Sequence, residues 1–77
     1  MIFDKLLEIF SNVIPEVNQD EITRESSLDE DLGLNSLTRM LLAVSIEDEY
    51  GVTFDADVKL DTVNDVIDFI SEKTGLE

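Results

Sequence analysis

Seventy-seven residues at 43% hydrophobic content suffice for one small packed domain and are too apolar for a disordered chain. Five Lys and Arg against nineteen Asp and Glu give a net charge of -14. Such a surface argues against nucleic acid and membrane as partners and favours proteins with basic patches. The absence of both Cys and His removes disulfides, thiolate metal sites, the commonest transition-metal ligand and the usual general base near neutral pH.

Phe3, Leu6, Leu7, Phe10, Val13 and Ile14 recur every three or four residues, which predicts a helix that Pro15 stops. Asp4, Lys5 and Glu8 interrupt this opening segment, unlike the apolar stretch of a signal peptide. No segment approaches the length of a membrane span, so a soluble cytoplasmic protein is expected. From Glu16 to Leu34 turn and cap formers dominate, and the isolated Ile22, Leu28 and Leu32 are expected to pin a long loop onto the core.

A second helix is predicted over Ser36–Tyr50, with Asn35 or Ser36 as its N-cap and Gly51 as its stop. Leu37, Met40, Leu41 and Val44 form one stripe on it; Leu42, Ile46 and Tyr50 form another. Apolar residues on two sides predict a central helix contacted on more than one face. Phe54–Leu60 has room for one short helical turn. Val63, Val66, Ile67 and Ile70 predict the last helix, with Thr62 and Asp65 as a capping box and Lys73 and Gly75 at its end. The expected fold is all-α: a small four-helix bundle of three main helices and one short one, with a long loop between helices 1 and 2.

The chemistry concentrates in Asp31-Leu32-Gly33-Leu34-Asn35-Ser36-Leu37, a glycine-bearing loop that delivers a serine to the first turn of a helix. There the free backbone N–H groups and the helix dipole favour an attached phosphate. If Asn35 is the cap, the Ser36 hydroxyl is left to point outward. Catalysis by this serine is not expected, because no His exists and Lys5, Lys59 and Lys73 fall in other segments. Asp29, Asp31 and Gly33 do not make a calcium loop either. An EF-hand begun at Asp29 needs glycine and glutamate where Leu34 and Met40 stand. No metal site is expected.

That stretch resembles the D-x-G-x-D-S-L signature of acyl carrier proteins, and the resemblance extends to the chain's length, acidity and helix order. It implies one acyl-carrier domain over residues 1–77, itself no enzyme but a substrate of others. Ser36 would bear 4'-phosphopantetheine, installed from coenzyme A by a phosphopantetheinyl transferase. The arm's thiol would hold acyl cargo as a thioester, in fatty-acid or related biosynthesis. Acyl-transferring or synthase enzymes with basic patches would dock on helix 2. The docking candidates are Asn35, Leu37, Leu41, Val44, Glu47 and Asp48, and a monomer is expected. An apolar cargo tail would fold back among Leu28, Leu42, Ile46, Phe54, Val63 and Ile67, all of them core candidates in their own right.

The sequence departs from that pattern in two places. Asn35 stands where the family has Asp, which keeps the cap and removes a charge beside the attachment point. Thr38, Arg39 and Leu41 stand where carriers of fatty-acid synthesis tend to have acids. This leaves either a more apolar docking face through Leu37 and Leu41, or docking that relies on Glu47 and Asp48. Arg39 either contacts the arm's phosphate or a polar cargo, or, as the favoured reading, lays its stem on apolar surface and meets water or a nearby acid. The alternatives to a fatty-acid carrier are a specialised carrier of amino-acyl or polyketide intermediates and an unmodified helical interaction module.

Overall fold

The computed structural model describes residues 2–55 and 58–75, and all its regular structure is helical. Helix α1 spans Ile2–Val13, a 3₁₀ turn spans Gln19–Glu21, α2 spans Ser36–Tyr50 and α3 spans Val63–Thr74. The short helix expected over Phe54–Leu60 falls partly on Ala56 and Asp57, outside the described residues. The described part of that segment is non-helical, and Val58 N–H donates to the Asp55 carbonyl at 3.1 Å.

Helix α1 buries Ile2, Leu6, Ile9 and Phe10, while Phe3, Leu7 and Val13 pack at the margins of that face. Ile14 still donates to the Phe10 carbonyl at 2.8 Å before Pro15 ends the helix. Leu6 and Phe10 are fully enclosed; truncating Leu6 to Ala would cost about 2–5 kcal/mol through lost burial and the cavity left behind. Helix α3 contributes Val63, Val66, Ile67 and Ile70 to the same core. Its Thr62 and Asp65 form the predicted capping box.

The long connection between α1 and α2 is not loose chain. Ile22, Leu28 and Leu32 are buried as their isolation among polar residues predicts, and Leu34 joins them. The loop is also sewn to the start of α3. Leu28 N–H donates to the Asp61 carbonyl at 2.8 Å, Val63 N–H to the Ser26 carbonyl at 3.0 Å, and Asn64 N–H to the Arg24 carbonyl at 2.8 Å. The buried Ser26 is satisfied locally, its hydroxyl accepting the Thr23 N–H at 2.9 Å.

One apolar stripe of α2 is not covered: Leu42 and Ile46 are buried, but Leu37 and Met40 are each 63% exposed, and Leu41 and Val44 about half exposed. With only α1, α3 and the loops available to cover it, α2 has one face left over.

Candidate functional site

The loop before α2 is shaped by its own side chains. The Asp31 carboxylate accepts the Ser27 N–H at 2.7 Å, and the Ser27 hydroxyl accepts the Glu30 N–H at 3.1 Å. Leu34 N–H then donates to the Leu28 carbonyl at 3.0 Å. Gly33 makes the reversal at φ 67°, in the left-handed region that other residues enter at a cost. Asp31 thus holds the loop in shape, a role its charge alone did not reveal.

Asn35, and not Ser36, is the N-cap. Its side-chain oxygen accepts the Thr38 N–H at 2.9 Å, and the Thr38 hydroxyl accepts the Asn35 N–H at 2.8 Å. Ser36 is therefore the first residue of α2; it is exposed, and its hydroxyl takes part in no hydrogen bond. At a helix start the N–H groups of Ser36 and Leu37 have no acceptor within the helix.

Along the middle of α2, from Arg39 to Ile46, lies a cavity of about 150 Å³, lined by Leu28, Arg39, Leu42, Ala43, Ile46, Phe54, Asp55, Val58 and Leu60. Four of the six cavity candidates, Leu28, Leu42, Ile46 and Phe54, are in that wall. Val63 and Ile67 are not; they lie in the core. Periodicity did not single out Ala43, Val58 and Leu60, because two sit in an irregular segment and the third is small. Phe54 is fixed by a stack on Phe69, ring centroids 4.4 Å apart, and by its N–H donating to the Glu47 carboxylate at 2.9 Å.

The docking candidates separate accordingly. Leu37, Leu41, Val44 and Asp48 are exposed, Asn35 is occupied with its cap, and Glu47 is turned toward Phe54. Between Asp31 and Glu47 there is no acidic residue. Arg39 meets an acid: its Nη2 donates to the Asp29 carboxylate at 2.8 Å. Away from the site, backbone N–H donation from Asp61 and Thr62 holds the Asp65 carboxyl below the usual aspartate range. Burial, with Glu49 adding to it, pushes the Tyr50 phenol up.

Residues 4–70 match the family described as a phosphopantetheine attachment site. The chain is 42% identical over 74 residues to an acyl carrier protein of Clostridium perfringens strain SM101, covering 94% of this chain and 96% of that protein. It is 38% identical over 76 residues to one of Thermotoga maritima, covering 96% and 93%. A third, from Petrotoga mobilis, is 32% identical over 78 residues, covering 99% and 91%. The chain belongs to the acyl carrier protein family.

Covalent 4'-phosphopantetheine is the prosthetic group of this acyl carrier family. The start of α2 fits such a group: an exposed, unbonded hydroxyl stands where unpaired N–H groups would face its phosphate, and a largely apolar cavity begins one turn further along the helix. Among the described residues of this acyl carrier, no helix is long and apolar enough to cross a membrane.

Proposed function

We propose that the chain, as one domain over residues 1–77, carries acyl intermediates on a phosphopantetheine arm esterified to Ser36, in fatty-acid or related biosynthesis. The observation that carries this reading is the division of labour between Asn35, which caps α2, and Ser36, whose hydroxyl stays exposed and unbonded. When the arm is installed, a bond forms from Ser36 Oγ to phosphorus. The pyrophosphate bond of coenzyme A breaks, the nucleotide half leaves, and the hydroxyl proton is lost to the transferase. The arm's thiol supplies the thioester-forming group that this cysteine-free chain lacks.

The chain itself is not an enzyme. No His is present to activate Ser36, and Lys5 is engaged with Glu8 and Glu49. Its partners are a phosphopantetheinyl transferase and acyl-transferring or synthase enzymes, met in the cytoplasm by a monomeric carrier. They dock over Asn35, Leu37, Leu41, Val44 and Asp48, with Glu47 contributing through its position at the end of α2. The cargo tail enters among Leu28, Leu42, Ile46 and Phe54, with Val63 and Ile67 behind them.

The exposed, acid-free stripe of Leu37, Met40, Leu41 and Val44 favours a second reading within the family, a specialised carrier in a secondary pathway. Intact mass spectrometry tests the first step. The protein is incubated with coenzyme A and a broad-specificity phosphopantetheinyl transferase, with Ser36→Ala as control. A gain of one phosphopantetheine, absent from the control, is expected. No gain with a cognate transferase would leave an unmodified interaction module as the better description.

A further inference from the structure

Arg39 stands one helical turn beyond Ser36 and lines the cavity. Its Nη2 and Nε donate to one Asp29 carboxylate oxygen at 2.8 and 3.2 Å, and its Nη1 donates to the Leu60 carbonyl at 3.3 Å. Those two acceptors belong to chain segments already joined to each other, since Leu28 N–H donates to the Asp61 carbonyl at 2.8 Å. One side chain from α2 therefore ties the helix to both strips of backbone along that seam. Among the described residues, no other α2 side chain hydrogen-bonds to it.

The seam and the helix are opposite walls of the cavity. Leu42 and Ile46 come from α2; Leu28 and Leu60 come from the seam. At about 150 Å³ the space matches that of a cavity that takes a guest of about six carbons, and it is half open to solvent, with Arg39 and Asp55 in its wall beside the apolar side chains. Widening the space between Leu42 and Ile46 on one side and Leu28 and Leu60 on the other requires α2 to part from the seam, and parting them breaks the contacts of Arg39.

We propose that Arg39 limits the length of the acyl chain that the cavity holds, acting as a tether from α2 to Asp29 and Leu60. The inference rests on the proposed function, and its test separates the two. The protein is loaded at Ser36 with butyryl-, hexanoyl- or decanoyl-phosphopantetheine, using the corresponding acyl-coenzyme A and a broad-specificity transferase. Cleavage of each thioester by hydroxylamine is then timed, a sequestered chain being cleaved more slowly.

With the native chain, hexanoyl is expected to be protected relative to butyryl, and decanoyl less well than hexanoyl. In Arg39→Ala and in Asp29→Asn, decanoyl protection should improve about two- to fivefold, the span expected of a partly exposed charge pair, with hexanoyl unchanged. Asp29 is on the surface, so Asp29→Asn leaves the core untouched even if loss of the arginine stem disturbs packing. One chain-length profile shared by all three proteins would overturn the role of Arg39. So would an equal change for every acyl group, which is general loosening and not a length limit. A protein that accepts no acyl-phosphopantetheine at all overturns the proposed function and this inference with it.

Discussion

Asn35 and Thr38 cap α2 reciprocally, each side chain accepting the other's backbone N–H, at 2.9 and 2.8 Å. The pair fixes where α2 begins, and so makes Ser36 the first helical residue. Replacing Asn35 with Ala is expected to destabilise the fold by about 1 kcal/mol, the usual cost of an N-cap side chain. Asn35→Asp should retain the stability, since a carboxylate caps as well and suits the helix dipole. Urea denaturation of the three proteins checks this; a neutral Asn35→Ala would mean that tertiary packing alone holds the start of α2.

Asp65 does for α3 what Thr38 does for α2, closing the capping box from its third position, but with a charge. Its carboxylate accepts N–H groups from Asp61 at 2.9 Å and Thr62 at 3.1 Å, which hold it below the usual aspartate value of 3.8. A lowered folded-state value means that ionised Asp65 stabilises the fold above the unfolded-chain value, and that this contribution is lost as pH falls through the folded one. Asp65→Ala should therefore cost about 1 kcal/mol near neutral pH. The gap between variant and native protein should close only as pH drops below about 4. Thermal melts across that range decide it: a gap independent of pH would show that the charge of Asp65 is irrelevant.

Much of this was legible in the sequence because local rules governed it. Pro15, Gly51 and the Thr62–Asp65 box set helix ends through backbone chemistry that no distant contact overrides. The same holds for the exposed serine at the start of α2, once Asn35 was a possible cap. What stayed hidden depended on three-dimensional company. The leucine stripe of α2 has the spacing of a core face, yet Leu37 and Met40 are exposed and Leu41 and Val44 half exposed, because the described elements that pack on α2 cover its other side. Val63 and Ile67 share one core with Leu28, Leu42 and Ile46 yet do not line the cavity, a distinction no one-dimensional pattern carries. The Arg39 and Asp29 pairing joins residues ten apart across a loop whose path the sequence did not specify.

Leu41 shows how the surplus face of α2 can be separated from the fold. It is 47% exposed, so Leu41→Glu should change stability by no more than about 0.5 kcal/mol, as most surface substitutions do. Its effect should appear in recognition instead. The substitution places an acid in a stretch of α2 that has none before Glu47. A transferase with a basic approach surface should then show a steeper fall of kcat/KM with added salt than it shows on the native chain. Leu41→Ala, which removes apolar area without adding charge, should instead raise KM about three- to tenfold while leaving the salt dependence unchanged. Initial rates of phosphopantetheine transfer at several salt concentrations distinguish the two effects. If both variants behave as the native chain does, transferases approach Ser36 without touching Leu41, and recognition falls to Asp48 and the residues at the end of α2.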